Sequence, residues 1–241
     1  MAARLKSISR QIHWSLLLKA AVFALAWFWL PFWLFFFVAL YLYFVPLFQS
    51  RKLAVPFFVL LVLSYTQPPS ALFVLVFGAI FYAIFLIKDL LVIDRRSAYE
   101  LLVLALSFLL LRGFYMKFDE GIEDWALWYA FLAAAALALL VRSFLDALSG
   151  EGPVEAHFRR REEHMAGWFS FLLLAQTLIA GLFLPLDFIY QSALVFLVVV
   201  LLVELLQEHF STGLSRTKIL TTAMTVFTLF VVVLGSARWG L

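Results

Sequence analysis

The stretch HFRRREEHMAGWFSFLLL, residues 157–174, places a charged segment directly before an apolar run. Two histidines, three arginines and two glutamates fall within its first eight residues, and hydrophobic residues dominate from Trp168 onward. This pattern is typical of a metal or catalytic site, or of the wet end of a membrane helix whose basic residues meet lipid headgroups. We favour the membrane interpretation, because the rest of the chain has the same character.

Composition excludes an ordinary soluble fold. Apolar residues make up 66% of the 241-residue chain and charged residues 14%, against about 45–50% and 25% in soluble domains. A soluble fold of this size lacks the interior to hide so much apolar surface, so lipid must be the solvent for most of the chain. The absence of cysteine also excludes disulfides, thiolate metal sites and thiol catalysis.

Breaks in hydrophobicity predict an all-α, polytopic transmembrane helix bundle of about nine short spans, with residues 1–241 as a single integral membrane domain. A crossing helix needs about 20 residues. The first four spans fall short of that length, and residues 53–66 either cross a locally thinned bilayer or enter it and return. The predicted spans are residues 14–30, 32–48, 53–66, 70–87, 98–116, 125–146, 166–185, 188–207 and 218–237.

Basic residues predict the orientation of these spans, because short cytoplasmic loops carry an excess of lysine and arginine. With the N-terminus in the cytoplasm and all nine segments crossing, all but four of the 18 lysines and arginines lie on the cytoplasmic side. The exceptions are Lys19, Arg112, Lys117 and Arg238. We therefore predict a multi-pass protein of the plasma (cell inner) membrane, with an uncleaved first span and the C-terminus outside.

Tryptophan distinguishes a hairpin from one kinked helix at Pro31. Tryptophan prefers the membrane–water interface, and Trp27, Trp29 and Trp33 surround this proline. Pro31 is therefore predicted to lie at an interface, in a tight turn between two antiparallel spans.

Two helices carry periodic small or polar residues. Ala126, Ala130, Ala134 and Ala138 recur every four residues, which places them on one helix face. Small residues let helices approach closely in lipid, so we predict a packing face there. Thr221, Thr225 and Thr228 share a face of the last span. Their hydroxyls either bond back to their own helix, as is usual, or line a polar pathway.

The opening stretch favours no metal. His157 and His164 are seven residues apart, about 10.5 Å along a helix, too far to share one zinc ion at about 2.0–2.1 Å from each nitrogen. A site would need His164 and His209 from different spans, together with a carboxylate. We expect no metal and no cofactor, and interpret Arg159, Arg160 and Arg161 as binding lipid headgroups.

Glu204 is the deepest acid that the pattern places in a span. An ionisable group inside the membrane is a functional candidate, but we favour a structural ion pair with Arg142, Arg216 or Lys218. We assign no catalytic residue; His164, Glu204 and His209 are the weak candidates.

Function is predicted mainly by exclusion, because the middle of every span lacks an acid or base and the chain has no catalytic motif. We favour a transport-type or membrane-complex subunit that handles a lipid-like or small molecule, with other membrane subunits as candidate partners. The alternatives are a membrane-embedded enzyme acting on lipid headgroups at the cytoplasmic interface, and a purely structural membrane protein. Membrane lipids are the expected partners, and nucleic acid is not.

Overall fold

The protein is described by a computed structural model, in which residues 14–45, 53–67, 69–88, 95–119, 121, 124–148, 156–211 and 216–237 are placed. These residues form nine α-helices and no strand, which confirms the all-α prediction. The helices are α1 (Trp14–Trp29), α2 (Phe32–Phe44), α3 (Ala54–Thr66), α4 (Ala71–Lys88), α5 (Arg95–Lys117), α6 (Ala126–Leu148), α7 (Ala156–Leu182), α8 (Phe188–Ser211) and α9 (Arg216–Ser236).

Six of these helices, α4 to α9, are long and apolar enough to cross a membrane. The chain is therefore an integral, multi-pass membrane protein. The helices α1, α2 and α3 are apolar but shorter, with 16, 13 and 13 residues. A 13-residue helix is about 20 Å long, less than the hydrocarbon core of about 30 Å. Six crossing helices are thus supported by length, and the crossing of α1, α2 and α3 stays a prediction.

The contacts divide the chain into two compact units, residues 1–98 and 99–241. In the first unit, α1 and α2 form the hairpin predicted at Pro31. The ammonium of Lys19 in α1 donates to the Val45 carbonyl just after α2, at 2.9 Å. The Phe23 and Phe35 rings also meet, with centroids 5.2 Å apart. A single kinked helix would hold residues 19 and 45 far apart, so the hairpin prediction is confirmed.

Aromatic rings fill the centre of the first unit. Phe23 stacks on Phe81 with centroids 4.0 Å apart, and Tyr43 stacks on Phe57 at the same separation. All four side chains are fully buried. Much of the phenylalanine in these short helices therefore serves packing between helices.

In the second unit, successive helices alternate in direction. Near one end, Tyr99 of α5 donates to Ser143 of α6 at 3.3 Å. Near the other end, Tyr115 of α5 donates to the Leu178 carbonyl of α7 at 3.0 Å. Tyr190 at the start of α8 donates to the Ser236 carbonyl at the end of α9, at 3.1 Å. These bonds fit the threading predicted from the basic residues.

The alanine stripe of α6 is buried at all four positions, Ala126, Ala130, Ala134 and Ala138. The pair α6–α7 has the most extensive contact of any two helices in the unit. The packing prediction for this face is therefore confirmed.

One boundary was wrong. The seventh span was predicted to begin at residue 166, but α7 begins at Ala156. Arginine and glutamate are good helix formers, so the charged residues of the opening stretch extend the apolar helix by more than two turns.

Candidate functional site

An open groove of about 350 Å³ lies between α6 and α7. Its lining residues are Ala135, Ala138, Leu139, Arg142, His164, Gly167, Trp168 and Phe171. Three lining residues have polar side-chain atoms, and they lie together: the Arg142 stem runs beside Gly167, and the Trp168 indole bonds to His164. The other lining residues are apolar. The groove therefore has an apolar floor and one polar end, the arrangement of an amphiphile.

Small residues create this floor. Ala135 and Ala138 come from α6, and Gly167 comes from α7. A Cβ added at Gly167 would lie 3.9 Å from Cδ of Arg142, so the aliphatic stem of this arginine runs beside the glycine. Larger residues at these three positions would fill the groove.

His164 and Trp168 form the polar end on the side of α7. They are four residues apart and therefore share a helix face. The Trp168 indole N–H donates to Nε2 of His164 at 3.1 Å. Both side chains are exposed at the mouth of the groove.

Arg142 supplies the positive charge from α6. Among the described residues, its guanidinium has no carboxylate partner. The side chain is exposed and lines the same groove as His164. A cation that has no carboxylate partner among the described residues, beside an apolar groove, is the kind of group that attracts anions at a membrane surface.

The candidate residues His164, Glu204 and His209 are not brought together in any site that the described residues show. His164 contacts Trp168, and His209 has a ring contact with its neighbour Phe210. Glu204 is exposed and does not line the groove. In the described part of the chain, no group of three histidine, aspartate or glutamate residues is arranged to hold a metal ion.

Lys218 pairs with Glu208 and not with Glu204. The Lys218 ammonium lies 3.4 Å from the Glu208 carboxylate, and it joins the end of α8 to the start of α9. The ion pair predicted between Glu204 and Lys218 is therefore not the one that forms, because the acid involved is Glu208, one helical turn later.

The other predicted site residues lie away from the groove or outside the description. The side chains of Arg159, Arg160 and Arg161 are outside the described residues, although α7 includes these positions. The hydroxyls of Thr221, Thr225 and Thr228 donate to the carbonyls four residues earlier, and all three residues are exposed. Such bonding satisfies each hydroxyl within its own helix, and the polar pathway stays a prediction.

Sequence reasoning missed the groove. From the sequence, Arg142 is predicted only as a partner for Glu204, and Trp168 is named only as the start of the apolar run. The available signal was the i, i+4 spacing of His164 and Trp168, together with Gly167 between them.

Comparison with known proteins adds no identity. No protein-family model matches the chain, and no characterised protein or solved structure gives a significant match.

Proposed function

We propose that this protein is a membrane subunit that holds a lipid-like amphiphile in the groove between α6 and α7. One observation carries the proposal: Arg142, without a carboxylate partner among the described residues, stands at the polar end of an apolar groove. The apolar floor would receive part of an acyl chain and the polar end an anionic group. The volume of about 350 Å³ lies within the range of about 300–1,000 Å³ for ligand sites.

A lipid-handling role fits the predicted transport-type or complex subunit better than it fits the enzyme alternative. Chemistry on a headgroup needs an acid, a base or a metal beside the reacting bond. The groove lining offers one acid–base group, His164, but its Nε2 is occupied by the Trp168 N–H, and no carboxylate lines the groove beside it. Binding is therefore the activity that this arrangement supports, and we propose the plasma (cell inner) membrane as its location.

Photocrosslinking tests this proposal. The purified full chain, in bilayer discs of phosphatidylcholine, would be mixed with an anionic phospholipid that carries a photoreactive group near its headgroup. We expect crosslinked peptides from residues 135–142 and 164–171. The change Arg142→Gln should reduce this adduct about tenfold, because it removes a charge-assisted bond.

The matched control is Lys218→Gln, which removes an exposed cation outside the groove. This variant should crosslink like the wild type. Adducts spread along the lipid-facing helices, or equal losses in the two variants, would contradict a specific site and favour the purely structural alternative.

A further inference from the structure

The hydrogen bond between Trp168 and His164 determines which atoms of the groove can meet a ligand. An indole nitrogen is only a donor, so Nε2 of His164 must accept and carries no proton while this bond exists. A cationic imidazole has protons on both nitrogens and cannot accept the bond. The bonded His164 is therefore neutral, with its proton on Nδ1.

Resting on the proposed function, we propose that the occupant is an acidic phospholipid whose phosphate is bound by Arg142 and by Nδ1–H of His164, with Trp168 as the positioning residue. The guanidinium supplies the charge and a planar set of donors that suits phosphate oxygens. Nδ1–H supplies a second donor from the opposite helix. While the Trp168 bond is formed, the site carries the single positive charge of Arg142 and suits a phosphodiester with one negative charge.

The titratable groups that face His164 are few among the described residues. Arg142 is the charged residue that lines the same groove from α6, and the lining residues include no acid. On its own helix, Glu162 is exposed and two residues away, which is about 200° around the helix from His164.

Amide substitutions test the role of each imidazole nitrogen. In His164→Asn the side-chain NH₂ takes the place of Nδ1–H, and in His164→Gln it takes the place of Nε2. We expect Asn to keep the binding of phosphatidylglycerol and Gln to lower it about three- to tenfold, the effect of one hydrogen bond. Binding would be measured by native mass spectrometry of the full chain, with phosphatidylcholine and inorganic phosphate as separate arms.

Trp168→Phe keeps an aromatic ring and removes the indole N–H donor together with the pyrrole ring that carries it. We expect a similar loss of phosphatidylglycerol binding, and a mixture of imidazole tautomers in the nitrogen NMR signals of His164. In the His164→Asn background, the same tryptophan change should cost nothing, because no imidazole is left to position. The control is Trp128→Phe, an exposed tryptophan of α6 that does not line the groove.

The outcomes separate the two proposals. If His164 carries its proton on Nδ1 but the protein binds phosphatidylglycerol no better than phosphatidylcholine, the proposal of an acidic lipid is overturned and the histidine geometry stands. Equal binding of inorganic phosphate would show an anion site without a lipid. Selective binding that Trp168→Phe does not change, with an unchanged tautomer, would overturn the positioning role alone.

Discussion

At Gly181, the absence of a side chain decides how α5 meets α7. The Tyr115 hydroxyl lies against this glycine and donates to the Leu178 carbonyl one turn earlier. A Cβ at position 181 would overlap that hydroxyl, and it would lie 2.9 Å from the ring carbon Cζ and 3.2 Å from Cγ2 of Val195. The glycine is therefore required by the close approach of a buried tyrosine.

We expect Gly181→Ala to destabilise the protein by about 1–3 kcal/mol, the usual cost of overpacking a filled core. The Tyr115 ring would have to move and would lose its bond to Leu178. The free energy of unfolding in mixed micelles, followed by tryptophan fluorescence, measures this effect.

The control is Gly235→Ala, since a Cβ at Gly235 meets nothing within 4 Å. In the helix α9, alanine should be neutral or stabilising by up to about 1 kcal/mol. A loss as large as that of Gly181→Ala would show that the effect comes from glycine replacement in general.

The alanine stripe of α6 determines how closely this helix packs against its neighbours. Ala134 has no exposed surface, so Ala134→Leu has to separate the helix from its neighbours. We expect a loss of about 1–3 kcal/mol in the free energy of unfolding. The same change at Ala180 of α7, which is exposed, should be nearly neutral. Comparable losses would mean that the stripe does not determine the packing.

The end of α2 is held by two lysines from other helices. Lys88, at the end of α4, is completely buried and donates to the Tyr43 carbonyl. Its ammonium also lies 4.8 Å from the Tyr43 ring centroid and 5.2 Å from that of Phe85. Lys19 binds the Val45 carbonyl beside it. Both ammoniums thus compensate the negative end of the α2 dipole.

We expect Lys88→Met to destabilise the first unit by about 1–3 kcal/mol, because the buried Tyr43 carbonyl loses a donor while methionine keeps the length of the apolar stem. Proteolysis within residues 14–88 would report the loosened unit. Lys218→Met, at a lysine that is 65% exposed, should change little. Faster cleavage in both variants would argue against a specific role for the buried ammonium.

Hydrophobic pattern predicted the helices well because lipid requires continuous apolar runs. Residues 188–207 became Phe188–Ser211, and 53–66 became Ala54–Thr66. The pattern was wrong at the start of α7, because hydropathy does not distinguish a water-exposed helical segment from a loop. It also gave no sign that Trp27, beside Pro31, is only 8% exposed and donates to the Ser64 carbonyl at 2.7 Å.

The groove could not be predicted for a different reason. It depends on the register of α6 against α7, which brings Arg142 beside Gly167 and His164. This register depends on how the small side chains of both helices interdigitate. The spacing of residues within one helix does not determine it. The alanine stripe indicated that α6 packs closely, but not which residues of α7 it meets.

For the whole molecule, the predicted orientation in the membrane is based on the distribution of basic residues. Within the second unit, the structure brings the ends of α8 and α9 together as that threading requires, with Glu208 and Lys218 at one end and Tyr190 and Ser236 at the other. These contacts are the same for either orientation in the bilayer. Orientation therefore needs a chemical test from one side.

The absence of cysteine makes this test direct. Variants with a single cysteine in place of Asp119, Trp29 or Arg160 would be expressed, and intact cells would be treated with a membrane-impermeant thiol reagent. We expect labelling at 119, in the turn between α5 and α6, and at 29, in the hairpin between α1 and α2. Position 160, in the charged start of α7, should react only after permeabilisation, because basic residues stay on the cytoplasmic side.

Labelling at 160 in intact cells would contradict the orientation. Labelling at 119 without labelling at 29 would show instead that the short helices α1 and α2 enter the bilayer without crossing it.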